Sequence, residues 1–200
     1  MSQSPRAVLV LAASMGGPEA LRDLCARLRL PADCAVLILQ HIQEDFSASL
    51  VRSLADAGAP RARLATDGDR VETGDWLVAP GGSDLAVGPG GALSLQPPPS
   101  GRPAPSFDLA LEGAARAFGR RLVAVLLSGM DVQDGQAGVR AAKASGGRTL
   151  AQDERSAKSF GMARDAVREG LIDVVAPLAI LPEKIERALA AIAERPEGTT

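Results

Sequence analysis

The sequence predicts an α/β fold: a doubly wound, mostly parallel sheet flanked by helices, with an antiparallel hairpin extension. Three observations predict it. Ala7–Ala13 (AVLVLAA) and Cys34–Gln40 (CAVLILQ) are continuous apolar runs, the pattern of strands buried on both faces. Between them lie a glycine turn and a helical repeat, which complete a βαβ unit with parallel strands and a right-handed crossover. Of the 200 residues, 46% are hydrophobic but only 2% aromatic, so the core is built from Ala, Val, Leu and Ile. That composition suits a sheet covered by Ala-rich helices.

Each element follows in order. The first apolar run breaks at Ser14-Met15-Gly16-Gly17, and Pro18 suits the first turn of a helix. Leu21, Leu24, Cys25 and Leu28 recur at helical spacing, which carries that helix to about Arg29, before Pro31. After the second run, Phe46–Ala57 reads as a helix. Arg61–Gln96 has short alternating stretches and glycine turns, read here as an antiparallel extension of the sheet. Pro89-Gly90-Gly91 joins Leu85–Val87 to Ala92–Leu95 as a hairpin within it. Pro97–Pro105 is a proline-rich surface loop. Helix Phe107–Phe118, strand Leu122–Leu127 and helix Gly135–Ser145 come next. Strands near Arg148–Ala151 and Ile172–Val175 enclose a further helix, and Pro182–Ala193 is the last. Residues 1–195 therefore read as one domain, with 196–200 as a polar tail.

Bulk properties exclude several function classes. A formal net charge of -2 without long runs of one sign, and few aromatics, argue against nucleic acid as a partner. The apolar run Ala7–Ala13 is too short to span a bilayer, so no direct membrane insertion is expected. The short polar lead has no signal-peptide pattern. One histidine and two cysteines, Cys25 and Cys34, cannot easily assemble a zinc site, and a reduced cytoplasmic protein is the simplest reading. The glycine turn has neither G-x-G-x-x-G nor a lysine after the glycines, so both phosphate-binding fingerprints fail.

Three stretches converge on the carboxyl edge of the predicted sheet, where open α/β sheets place their sites. Ser14 leaves the first strand on a tight turn beside a helix N-terminus, whose unpaired N–H groups could hold an oxyanion. The same position also reads as a serine N-cap. His41, the one histidine, leaves the second strand on the same edge, where it could serve as the base that a serine nucleophile needs. In isolation a histidine satisfied at a strand end is the favoured reading, and its place on the same edge as Ser14 reverses that preference. The loop Ser128-Gly129-Met130-Asp131-Val132-Gln133-Asp134-Gly135 leaves the third buried strand and offers two acids, Asp131 and Asp134, to orient an imidazole. Asp134 also reads as the N-cap of the helix after it. The chain order Ser, His, Asp differs from three familiar serine-hydrolase orders and points to a separate family.

These residues resemble the catalytic domain of the CheB-type chemotaxis protein-glutamate methylesterases, over nearly the whole chain. The family's A-S-x-G-G-P-x-A-L appears as Ala13–Leu21 and its Q-H-x-x-x-x-F as Gln40–Phe46. A-P-G-G appears as Ala79–Gly82, P-S-x-D as Pro105–Asp108 and D-G-x-x-G as Asp134–Gly138. A-Q-D appears as Ala151–Asp153, and F-G-M as Phe160–Met162. The resemblance implies that Ser14 attacks the methyl ester of a receptor glutamate, His41 takes its proton and Asp134 orients His41. It implies an oxyanion and substrate pocket from Met15, Gly16, Gly17 and Met130, with no cofactor and no metal. It also implies glutamine deamidation by the same acyl chemistry. The expected partners are the cytoplasmic helices of methyl-accepting chemoreceptors and a separate regulatory protein.

There are departures. The family's G-M-G-x-D-G is here one residue longer, as Gly129–Gly135. Alignment from Met130 puts the acid's place at Gln133; alignment from D-G-x-x-G puts it at Asp134, which also matches Gly138, while Asp131 stands as the alternative acid. Met15 replaces the usual Thr, Asp84 the usual His and Ala163 the usual Pro. Typical relatives carry an N-terminal phosphoacceptor receiver domain, whereas this chain begins at the catalytic strand, so gating by a tethered receiver is not expected. The rival reading is a non-catalytic module that binds receptors or other partners through a degenerate methylesterase fold.

Overall fold

β1 (Ala7–Ala13) and β2 (Cys34–Gln40) lie side by side and parallel, Ala7 opposite Cys34 and Ala13 opposite Gln40. The computed structural model describes residues 4–130 and 134–193. α1 (Gly17–Arg27) makes the crossover between these strands, and α2 (Glu44–Ala57) follows them. Among the described residues, seven strands form one sheet in the order β3-β4-β2-β1-β7-β8-β9, with every pairing parallel. The added strands are β3 (Ala62–Leu64), β4 (Trp76–Val78), β7 (Leu122–Leu126), β8 (Arg148–Gln152) and β9 (Val174–Ala176).

Residues alternate across the central strand, which is why it reads as uninterrupted apolar sequence. Leu9 and Leu11 face α1, α2 and α6 (Leu181–Ala193) through Leu21, Leu54 and Ile185. Val8, Val10 and Ala12 face the other layer: α3 (Phe107–Phe118), α4 (Gln136–Ala144) and α5 (Gly161–Arg168). Leu9, Leu11 and Leu37 are fully buried, and each such side chain contributes about 1.5–3 kcal/mol to folding. α3 and α4 approach closely because Gly138 lies against Leu111: a Cβ there would stand 2.5 Å from the Leu111 Cβ.

Residues 61–96 divide differently from the expectation. β3 and β4 join the parallel sheet beyond β2. Apart from an isolated bridge of Arg70 to Ala92, the antiparallel pairing here is that of β5 (Asp84–Val87) with β6 (Leu93–Gln96), which form a separate two-stranded sheet packed on α3 through Leu85, Val87 and Leu93. Three-residue strands carry too little alternation to reveal their direction. The predicted termini shift by small amounts elsewhere. α2 starts at Glu44 because Glu44 and Asp45 occupy its first turn, where acidic groups complement the helix dipole but leave no apolar period to read.

The order places β1 between β2 and β7, so the crossovers diverge on either side of β1. That is the topological switch point of an open α/β sheet, the crevice in which such folds bind ligands. Ser14, His41 and the segment that starts at Ser128 leave the carboxyl ends of these three neighbouring strands. No helix among the described residues is long and apolar enough to cross a membrane.

Candidate active site

Ser14 follows β1 directly and is 8% exposed. It is not a helix cap: the N-cap of α1 is Gly16, in the left-handed region at φ +78°, with no side-chain capping bond. Gly16 is required twice, by that φ and by crowding, since a Cβ there would stand 2.8 Å from Ser128 Oγ and 2.6 Å from Lys158 Cβ. The turn is anchored to β7 and β2: Ser14 N–H donates to the Ser128 carbonyl at 2.9 Å and His41 N–H to the Ala13 carbonyl at 3.0 Å.

His41 joins the serine to an acid. Its Nδ1 is 3.2 Å from Ser14 Oγ and its Nε2 is 3.4 Å from Asp134 Oδ2. A carboxylate only accepts, so Nε2 carries the proton and Nδ1 presents the lone pair to the serine hydroxyl. The ring lies flat on Phe107, with centroids 3.8 Å apart and planes 7° from parallel. The stack leaves rotation in plane as the only easy motion of the imidazole, and the two hydrogen bonds oppose that.

Asp134 is buried, and its carboxylate accepts on both oxygens. Oδ2 takes the N–H of Phe107 at 2.8 Å besides His41, and Oδ1 takes the N–H of Asp108 at 2.9 Å and the Ser106 hydroxyl at 3.3 Å. Burial is the largest single influence and pushes its pKa up. The His41 hydrogen bond and the two backbone donors together outweigh it and hold the carboxyl below its ordinary value. Asp134 is thus an ionised group at the head of α3. It does not cap the helix that follows it; the N-cap there is Gly135, and Asp108 Oδ1 serves that end by accepting from Gly135 N–H at 2.9 Å and Gly138 N–H at 2.7 Å. Asp131, the alternative acid, lies outside the described residues.

Two supports went unassigned in the sequence. Buried Gln40 donates through Nε2 to the carbonyls of Ser14 (2.9 Å) and His41 (3.0 Å), clamping both turns. Its Oε1 has no hydrogen-bond partner among the described residues and faces Gly17. Buried Asp84 accepts the Ser106 N–H at 2.7 Å and so ties the hairpin to the start of α3. The Q-H and P-S-x-D stretches contained Gln40, Ser106 and Asp108, but a linear motif does not say which backbone groups they bind. Phe107 carried no such mark; the sequence placed it only at the start of a helix.

The pocket residues separate. Gly17 N–H donates to the Ser14 carbonyl at 2.8 Å and closes the turn, so its amide is not left over as a donor. The amides of Met15, Gly16 and Met130 take no hydrogen bond among the described residues. Met15 and Met130 also expose their side chains, at 45% and 44%, beside the serine. A buried serine, an imidazole held between it and a carboxylate, and amides at a helix start without partners among the described residues can together perform acyl transfer.

A sequence model of the CheB methylesterase family matches residues 9–185. Among curated proteins, the chain is 41% identical over 182 residues to protein-glutamate methylesterase/protein-glutamine glutaminase 2 of Anaeromyxobacter dehalogenans, covering 91% of this chain and 52% of that protein. It is 41% identical over 188 residues to the protein-glutamate methylesterase/protein-glutamine glutaminase of Bordetella bronchiseptica, covering 91% and 53%. The chain spans about half the length of these relatives. Among solved structures, the Thermotoga maritima CheB methylesterase catalytic domain superposes with a TM-score of 0.81 at 28% identity, over 94% of this chain and 99% of that one. The sequence match, the shared fold and the full extent of the superposition agree: this chain belongs to the CheB methylesterase family.

Proposed function

We propose that the chain hydrolyses γ-methyl esters of glutamate side chains on methyl-accepting chemoreceptors, in the cytoplasm, with Ser14 as nucleophile, His41 as base and Asp134 as the orienting acid. The observation that carries the reading is the continuous Ser14–His41–Asp134 relay, locked by the Phe107 stack. The names of the relatives support the substrate, and they support glutamine deamidation as a second reaction of the same site. A binding module would not need a buried serine held against an oriented imidazole, so the assembled relay favours catalysis over the rival reading.

The chemistry follows from the geometry. Ser14 Oγ forms a bond to the ester carbonyl carbon while its proton passes to His41 Nδ1. The imidazolium keeps its Nε2–H on the Asp134 carboxylate, which stabilises the new charge. The carbonyl oxygen becomes an oxyanion facing the unpaired amides of Met15, Gly16 and Met130. The C–OCH3 bond then breaks, Nδ1 returns the proton, and methanol leaves the acyl-serine. Water attacks that acyl group with Nδ1 again taking the proton, which finally returns to Ser14 Oγ as the glutamate is released. With glutamine the leaving group is ammonia, and the remaining steps are the same.

The test is methanol release from a methylated chemoreceptor preparation, comparing the wild-type chain with Ser14→Ala. Release that disappears in the folded variant is expected. A wild type that releases no methanol from several receptors, although a serine-directed phosphonate labels Ser14, would shift the substrate to another ester.

A further inference from the structure

The Pro97–Pro105 loop forms one wall of a cleft of about 430 Å³, with Pro98, Arg102 and Pro103 facing His41, Ile42 and Gly82 across it. The cleft is continuous with the relay because His41 lines it. Arg102 is the one charged side chain among the described residues of its lining, and it is exposed. Its guanidinium makes no ion pair or side-chain hydrogen bond among the described residues. Other cations near the site and hairpin are engaged: Lys158, beside Gly16, stands 4.0 Å from Glu19, and Arg70 donates to the Gly90 carbonyl at 2.8 Å. Glu44 lies next to Gly82, its Oε2 4.0 Å from where a Gly82 Cβ would stand, and is not among the residues that line the cleft.

The loop is not a loose tether. Five prolines between positions 97 and 105 restrict its backbone, and Arg102 N–H closes a turn on the Pro99 carbonyl at 3.2 Å. Ala104 is buried, Ser106 N–H is fastened to Asp84, and Phe107 stacks on His41. Arg102 is therefore carried by a segment whose far end is fixed to the imidazole. A guanidinium with apolar walls and no internal partner is suited to a carboxylate, which it can bind through two parallel hydrogen bonds.

We propose that this cleft binds a carboxylate side chain of the substrate polypeptide flanking the reacting ester, with Arg102 as its anchor. The inference rests on the esterase reading above. The reaction itself turns a neutral ester into a carboxylate, so each hydrolysed glutamate creates a ligand for Arg102. A segment with several modified glutamates then becomes a better substrate after its first turnover.

Two helical peptides test this, each with one glutamyl γ-methyl ester, flanked by Glu in one and by Gln in the other. The wild-type chain is expected to show a KM about fivefold lower for the Glu-flanked peptide, the scale of an exposed ion pair, with similar kcat for the two. Added salt should erode the preference. Arg102→Gln should abolish it and Arg102→Glu should invert it; the residue is exposed on a loop, so both variants fold. Hydrolysis of both peptides without preference, or a preference that survives Arg102→Glu, overturns the proposal and leaves the esterase standing. Hydrolysis of neither peptide by a chain whose Ser14 reacts with a phosphonate overturns the protein-ester reading and the proposal with it.

Discussion

Asp134 and Asp108 exchange helix ends. Asp134 accepts the first N–H groups of α3, including that of Asp108 itself, while Asp108 accepts the N–H groups of Gly135 and Gly138 at the head of α4. Each carboxylate thus fixes the backbone that carries the other. The acid of the relay is positioned by two helix starts rather than by its own loop.

Asp134→Asn should still fold, because the remaining amide oxygen accepts one of the two α3 N–H groups while the other loses its acceptor, but an amide no longer selects the tautomer with Nδ1 free. Its kcat should fall by about 10⁴-fold, as for a triad acid. Asp131→Asn should retain most of the rate. Steady-state methanol release from the two variants decides between the acids, and the reverse ranking would reassign the role.

Asp108→Ala should act mainly on stability. It strips two backbone hydrogen bonds from the start of α4, a loss of about 1–2 kcal/mol on the scale of a helix cap. Urea denaturation measures this. A midpoint unchanged from wild type would mean that solvent replaces the cap at no cost.

The two carboxylates have opposite pH signatures. Asp134 is held below its ordinary value on folding, so its contribution is fully present above the unfolded value of about 3.9 and is lost as pH falls through the folded one. Asp108 is raised, first by burial and further by the Asp134 charge, although Gly138 N–H opposes. Its ionised form therefore costs stability above its folded pKa, and acid relieves that cost. The stability gap between wild type and Asp134→Asn should narrow as pH falls from about 5 to below about 4. Denaturation across that range checks the sign; a gap that widens in acid contradicts it.

Phe107→Leu keeps a buried apolar side chain but removes the ring under His41. The lost stack should cost about 1 kcal/mol. With the imidazole freer, kcat should drop by tenfold or more while KM changes little, since a small misalignment of reacting groups costs up to about 10²-fold. A KM effect without a kcat effect would move Phe107 from positioning to substrate binding.

Gly17→Ala would drive a methyl group into Gln40 Oε1 and to 2.8 Å from Ala13 Cβ. Gln40 is the clamp on the Ser14 and His41 carbonyls, so activity should fall by about 10²-fold and stability by about 1–3 kcal/mol. The double variant with Gln40→Ala should regain stability but not rate. Additive stability losses in that cycle would show that the two residues are not coupled.

How much was legible in advance can be seen residue by residue. β1, β2 and α3 were predicted with their observed ends, because a strand buried on both faces and a strongly amphipathic helix declare themselves in one dimension. The carboxyl-edge position of Ser14 and His41 followed from the βαβ rule alone. β3 and β4 did not follow, since three residues cannot encode a partner. For the acid, the residues alone left Asp131, Asp134 and a helix cap in competition, and the family resemblance favoured Asp134 with Asp131 as the alternative. Pairing β7 beside β1 and setting α3 against α4 brings Asp134 to both His41 and the α3 amides. The sequence by itself determined the layered fold, the family and the two residues that must meet. Only the tertiary structure decided the tautomer, the Phe107 stack, the crossed caps and the face given to Arg102, because these are contacts between segments distant in the chain, and local periodicity holds no record of which distant backbone groups a side chain will satisfy.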